Sequence, residues 1–406
     1  MKKKRYFTLS FLVICLLGFG TINVSAEEIK IGAPLALTGM FSSDGVHYLK
    51  GIQLAVDDIN SSGGVLGKKL KIVKFDTQEF APERTMLAAD QLVGREKVDI
   101  ILAGWGGWGQ DVRAYGKYDV PVFLNDSSIL ALEVFRENPK KYSNVFQLCP
   151  IEKQIAYDCF DNLMRVPYDY PNKKIAFIMA DDAFGDAMAA GYKERASENG
   201  WQIVMDEKVP YGTTEWGPLL TKIRRAKPSL IMMEIISVPE NATFIEQFIR
   251  NPTNTLVYQG YALNLIDYQV NLKEKAEGVL GIRVLLPVPQ YPNEESKKWA
   301  DRFRKKFGEE PFGVSLFTYE PLMLWAEAVK AVGNEKDYSK VSDYIRNARY
   351  NLFGGGVIYF DKENQVPEFG DSMFTSQIQN GTVTTLVAQS KQYKNNKFQL
   401  PPWIKK

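Results

Sequence analysis

Residues 29–59 read IKIGAPLALTGMFSSDGVHYLKGIQLAVDDI, and residues 60–76 continue NSSGGVLGKKLKIVKFD. The run 29–35 is short, apolar and β-rich, as a buried strand requires. Over 45–61 the apolar residues recur at helical spacing, and 69–76 returns to a strand. Gly63, Gly64 and Gly67 permit a tight turn between helix and strand, because glycine tolerates positive φ. Strand, helix, strand is a βαβ unit, and it predicts parallel pairing. The loop 37–43 follows a strand and precedes a helix. In an open parallel sheet such loops lie at the carboxyl ends of the strands, where ligands bind. Thr38, Phe41 and Ser42 are its candidate ligand contacts; Ser43 offers a further hydroxyl. The alternative for the hydroxyls is capping of the helix that starts near Gly45.

The same alternation extends outward. Segments 83–95 (helix), 99–103 (strand) and 120–125 (strand) complete one series. A second runs through 174–180, 184–199, 202–209, 216–226, 230–236, 243–250 and 256–260, strand and helix in turn. Two series of this kind predict an α/β fold of two doubly wound parallel-sheet lobes. Breaks near 145–153, 279–288 and 350–357 carry prolines or the run Gly354-Gly355-Gly356, and they predict a hinge of three crossings. Helices are expected at 294–307 and 319–332, and strands at 357–360, 374–379 and 383–388. The lobes are read as 27–147 plus 285–352 and 148–284 plus 353–390, with a loosely held C-terminal extension at 391–406.

Lys2, Lys3, Lys4 and Arg5 precede an apolar run at 7–20 and the small-residue triplet Val24-Ser25-Ala26. This is the pattern of a cleavable signal peptide over 1–26; the run is short for a spanning helix, which needs about 20 residues. Cys15 follows Val13 and Ile14 rather than small residues, which argues against lipid attachment there. The expected location is a periplasm, with no membrane insertion of the mature chain. Without the four basic residues of the leader, 50 Lys and Arg become 46, against 48 Asp and Glu. That balance carries no electrostatic footprint for nucleic acid. Cys149 and Cys159 would be separated by about 10 Å or more along a helix expected at 152–165, which argues against a disulfide.

The opening block resembles the leucine/isoleucine/valine-type periplasmic binding proteins that feed ABC transporters. The resemblance extends from about residue 28 to 386, including Asp182-Ala183-Phe184-Gly185 and Tyr359-Phe360-Asp361-Lys362. It implies two α/β lobes, three hinge crossings, a small-molecule ligand in the cleft, and ABC permease subunits as partners. No cofactor is implied. Gly104-Trp105-Gly106-Gly107-Trp108-Gly109 follows the strand at 99–103, and glycines there expose backbone N–H groups suited to an anion. By the resemblance this loop helps to hold a ligand carboxylate, although family members often have serines where this chain has tryptophans. Trp105 and Trp108 would wall an apolar or aromatic solute or pack inside the lobe. The second carboxylate-holding segment of the family matches Asn125-Asp126-Ser127-Ser128. The cleft residues of the second lobe match Ile236-Ser237 and residues 259–262. The acidic residue that grips an ammonium aligns with Tyr261, which puts α-amino-acid recognition in doubt unless Glu234 or Asp126 takes that role. Glu234 lies in an apolar strand, where a carboxylate needs a partner; an exposed strand end or an ion pair with Arg283 is the alternative to a ligand contact.

Enzyme readings are set aside. Residues 104–109 satisfy G-x-G-x-x-G with Asp126 about 20 residues on, the dinucleotide pattern, but the tryptophans would crowd a pyrophosphate. His47 is the sole histidine, which excludes a His-rich zinc site. The chain has neither G-x-S-x-G nor a P-loop motif. A ligand sensor on the same two-lobed fold is the alternative to a transport component.

Overall fold

The computed structural model describes residues 27–405 except 40, 79–80, 105, 287–290, 354, 369 and 389–395. The leader expected at 1–26 and the candidate Trp105 lie outside the described residues.

Five parallel strands form the first sheet, in the order β2-β1-β3-β4-β5. They are β1 (Ile29–Leu35), β2 (Leu70–Asp76), β3 (Ile100–Leu102), β4 (Val122–Leu124) and β5 (Val145–Gln147). The crossovers are α1 (Ser42–Ser61), α2 (Pro82–Ala89), α3 (Gln110–Tyr115) and α4 (Ile129–Glu137). Ile52, Ala55, Val56 and Ile59 recur at helical spacing and bury one face of α1. Removing one such isoleucine side chain from water contributes about 2 kcal/mol. The turn after α1 needs its glycines: Gly64 has φ +84°, and a Cβ there would stand 2.0 Å from Lys68 O.

The second sheet runs β14-β13-β10-β9-β8-β6-β7. Its parallel strands are β6 (Lys174–Ala180), β7 (Gln202–Val209), β8 (Leu230–Glu234), β9 (Leu256–Tyr258) and β10 (Leu280–Val284). Its helices are α5 (Glu152–Met164), α6 (Ala183–Glu198), α7 (Gly217–Ala226), α8 (Val238–Phe248) and α9 (Ile266–Leu272). The chain then leaves this sheet for α10 (Glu294–Phe307), α11 (Gly313–Val332) and α12 (Tyr338–Asn347). These belong with the first sheet: α11 lies along α1, Tyr319 and Arg302 both bond Asp58, and Tyr338 bonds Asp99. The short strands β11 (Tyr350–Asn351) and β12 (Val357–Ile358) pair with each other. The chain then returns to the second sheet as β13 (Met373–Gln379) and β14 (Thr382–Ala388), both antiparallel.

The chain therefore passes between the sheets three times, and the crossings are bonded together. Gln147 N donates to Asn364 O and Val366 N to Gln147 O, both at 2.9 Å, while Leu285 N donates to Ser372 O at 2.7 Å. The fold is α/β with two doubly wound lobes, as expected, although the second sheet ends in an antiparallel pair.

Three expectations need correction. The helix expected at 243–250 begins at Val238, because Pro239 sits in the first turn, where its missing N–H costs nothing. The helix expected at 319–332 begins at Gly313 and runs through Pro321; burial on all sides outweighs the lost hydrogen bond. The C-terminal segment is not loosely held over its described part. Trp403 Nε1 donates to Thr255 O at 2.9 Å, its ring meets Phe248 edge-on, and Asn396 Nδ2 donates to Thr385 O. Cys149 and Cys159 are buried and free. Among the described residues no helix is long and apolar enough to cross a membrane.

Candidate functional site

The carboxyl ends of the two parallel sheets face each other, and two cavities lie between them. The larger, about 410 Å³, is lined by Phe41, Ser43 and Asp44 from the first lobe. Ile236, Ser237 and Leu265 are among its second-lobe lining. That volume suits a small organic molecule. Ser43 Oγ donates to Asp267 Oδ1 across the gap at 3.2 Å. The inner cavity, about 30 Å³, is bounded by Tyr48, Ser127 and Cys149 on one side and Tyr261 on the other. Ile236 lines both cavities and stands between them.

On the first lobe, Asp44 and Tyr48 are four residues apart, so they share a face of α1. The helix starts tight against the end of β1, because Gly45 lacks a Cβ that would lie 1.8 Å from Ala36 O. Both side chains are buried. Burial, then the neighbouring Tyr261 and Asp44, hold the Tyr48 phenol well above its ordinary range, so it presents a neutral hydroxyl. Thr38, by contrast, is exposed and serves the loop itself: its Oγ1 donates to Asp76 Oδ2 at 2.7 Å and its N–H to Asp76 Oδ1 at 3.3 Å. Ser42 is the first residue of α1 and is half-buried.

The glycine-rich loop is built differently from its sequence reading. Asp111, buried in the short α3, accepts from the N–H groups of Gly107 at 2.9 Å, Gly109 at 3.2 Å and Val112 at 2.8 Å. The donors expected to face a ligand anion at Gly107 and Gly109 are thus used inside the loop. Gly106 is required for packing, since a Cβ there would fall 2.2 Å from Asp126 Cγ. With the Gly107 and Gly109 donors already bonded to Asp111, the loop does not offer them to a pyrophosphate. Trp108 is half exposed, in a left-handed conformation at φ +47°.

Asn125 Nδ2 donates to Ala103 O at 2.7 Å, tying β4 to β3. Asp126 is buried; Oδ1 accepts from Ser128 N at 3.0 Å, and Oδ2 has no hydrogen-bond partner among the described residues. Burial, followed by the charges of Asp111 and Glu152, raises its pKa well above the usual carboxylate range. Ser127 reaches the inner cavity, while Ser128 caps α4 by accepting from Leu130 N.

On the second lobe, Glu234 is neither exposed nor paired with Arg283. It is fully buried at the end of β8, where Oε1 accepts from Tyr261 N at 2.9 Å and Oε2 from Tyr192 O–H at 2.8 Å. Gly260 makes room: a Cβ would meet Glu234 Oε2 at 2.0 Å. Burial pushes the Glu234 carboxyl up to about 7 against the opposing pull of these two bonds. Glu234 therefore positions Tyr261 rather than facing the cavity. Ser237 lines the outer cavity just before α8 and donates its hydroxyl to the Glu240 carboxylate rather than capping the helix. Among the described residues no group of three His, Cys, Asp or Glu side chains is arranged to hold a metal.

Sequence reasoning missed Asp44, Tyr48, Cys149 and the place of Ile236 on both cavities. The i, i+4 spacing of Asp44 and Tyr48, directly after a ligand-side loop, was the available signal.

Comparison with known proteins agrees with this geometry. The family model described as "Periplasmic binding protein" matches residues 28–382. An amino acid binding protein of Pseudomonas aeruginosa is 24% identical over 346 residues, covering 84% of this chain and 87% of the relative. A crystal structure from Silicibacter pomeroyi, assigned to branched-chain amino acid ABC transport, superposes with a TM-score of 0.83 at 24% identity, covering 93% of this chain and 100% of that one. A solute binding protein of an ABC transporter from R. palustris, in complex with benzoate, gives 0.72 at 17% identity, covering 90% and 98%.

Proposed function

The chain belongs to the periplasmic binding protein family, and from that premise we propose that it is the extracytoplasmic solute receptor of an ABC importer. The observation that supports this reading is the cavity of about 410 Å³ walled by both lobes at the ends of their parallel strands. The solute is an amino acid or an aromatic or other organic acid; the similar proteins include an amino acid binding protein and one holding benzoate.

In this reading 1–26 is a cleaved leader and the protein works in the periplasm. The lobes comprise 27–147 plus 285–352 and 148–284 plus 353–390, and they rotate about the three bonded crossings. The first lobe receives the solute through Phe41, Ser42, Trp105, Gly106, Trp108, Asn125, Asp126 and Ser127, with Asp44 and Tyr48 added from α1. The second closes on it with Ser237 and Tyr261, which Glu234 holds in place. Closure displaces water and strengthens each polar contact. The closed form is then recognised by the permease.

Native mass spectrometry of freshly purified protein tests the binding reading: a single small molecule, released on unfolding, is expected. Uptake in a deletion strain tests transport. Loss of uptake with chemotaxis intact is the expected result, and intact uptake with lost chemotaxis would instead make the protein a sensor.

A further inference from the structure

Leu285 stands where the chain leaves β10 on the second of its three crossings, and its backbone is strained. Its φ is +64°, and Leu286 N donates to Val284 O at 2.8 Å, so residues 284–286 form a γ-turn of the rare, unfavourable hand. Positive φ suits glycine and works against any residue with a Cβ. Among the described residues Leu66 and Trp108 are the other apolar side chains with positive φ, and they are 41% and 49% exposed; Leu285 is 4% exposed. The third crossing meets the same demand with residues that tolerate it, Gly355 at φ +98°, Gly356 at +83° and Asn364 at +55°.

Such a conformation persists only where its surroundings over-determine it. Leu285 N donates to Ser372 O at 2.7 Å, Val284 N donates to Asn264 Oδ1 at 3.2 Å, and Val284 pairs with Met373 across β10 and β13. The start of α11 presses on the same point, since a Cβ at Gly313 would stand 1.9 Å from Val284 O. The Leu285 side chain lines a small apolar cavity to which the other crossings contribute, Leu148 from the first and Leu352 and Val366 from the third. Phe317 of α11 lines this cavity and also the inner cavity of the cleft, which Val284 lines too. The turn is thus built between the hinge and the wall of the cleft. The strain is present with the lobes in contact, because Ser43 and Asp267 are hydrogen-bonded across the gap.

We propose that the Leu285 turn is a sprung pivot: it is strained when the lobes meet and relaxes when they part, so that the empty protein rests open and a bound solute holds it shut. This rests on the lobes rotating about their crossings, as in the function proposed above. A receptor that closed on an empty cleft would exclude the solute it must admit, and strain confined to the closed form disfavours that state.

Small-angle X-ray scattering tests this on protein stripped of solute by unfolding and refolding, as wild type, Leu285→Gly, Leu285→Asn and Leu285→Ala. Glycine and asparagine relieve the turn, whereas alanine removes most of the side chain and keeps the strain. Wild type and Leu285→Ala are expected to scatter as open forms, with a radius of gyration above that of the lobes in contact. Leu285→Gly and Leu285→Asn should both shift toward the closed value, their ratio of closed to open form raised on the order of tenfold. The asparagine variant stands in if the glycine variant does not fold, and it separates relief of strain from a hinge made looser by glycine. Relaxed variants that stay as open as Leu285→Ala, or an alanine variant that closes as they do, overturn the pivot while the rotation of the lobes stands. Wild type that scatters as the closed form without solute removes the rotation itself, and this inference falls with it.

Discussion

Gly51→Val is expected to lower the melting temperature by roughly 5 °C, corresponding to about 3 kcal/mol, the upper end of ordinary overpacking. At Gly51 the helices α1 and α11 touch backbone to backbone. A Cβ there would stand 2.0 Å from Ser315 O and 2.6 Å from Thr318 Oγ1. The partner cannot simply turn aside, because Thr318 Oγ1 donates to Tyr48 O at 2.7 Å. Valine must therefore push the helices apart. α11 is also fixed at its start, where Gly313 abuts Val284 O. Since α1 carries Asp44 and Tyr48, solute binding should weaken in the same variant. Gly217→Ala is the control: its position is open, and its melting temperature should stay within about 1 °C of wild type. Thermal unfolding of the two variants decides the matter. A Gly51→Val melting temperature equal to that of the control would show that the helices do not meet there.

The second large effect concerns Glu234. Glu234→Ala strands two buried donors, the N–H of Tyr261 and the hydroxyl of Tyr192, each costing about 1–3 kcal/mol. Glu234→Gln keeps an acceptor for Tyr261 and offers its amide to the Tyr192 oxygen, so it should be tolerated. The pair separates by pH. The carboxyl titrates at about 7 in the fold, above its ordinary 4.5. Folding thus favours the protonated form, and the contribution of Glu234 is fully present below pH 4.5 and lost as pH rises through 7. Over that window the wild type should lose on the order of 3 kcal/mol relative to the glutamine variant. Urea unfolding of both at pH 5 and pH 8 measures the difference. An equal gap at the two pH values would mean that Glu234 is already ionised when folded.

Much of the fold was legible because its signals are local. The 29–76 block contains its own strand, helix, glycine turn and strand, and the structure reproduces them within three residues at each end. The strands at 174–180 and 202–209 and the helix at 294–307 match their predicted limits. Strands of three residues such as β5 carry too few positions for a pattern, and α12 was passed over although its buried residues are regularly spaced. The starts of α8 and α11 were placed five and six residues late, because Pro239 is tolerated in a first turn and the first turns of α11 are buried too uniformly to show a helical period.

The site was legible in its location and not in its wiring. The loops 37–43, 104–109 and 125–128 do end strands of the first sheet. Whether an N–H there faces solute or an acid of its own loop depends on the rotamer of Asp111, which no spacing reveals. The partners of Glu234 lie 42 and 27 residues away in sequence.

The central claim is that one small organic solute is held between the lobes, and calorimetry on wild type and Ile236→Trp tests it most directly. Ile236 divides the two cavities, and an indole there fills the space a solute would take. Across a panel of amino and aromatic acids, we expect at least one to bind the wild type at one site per chain and to give no heat with the folded variant. Binding unchanged by the indole, or a panel silent against the wild type, would contradict it.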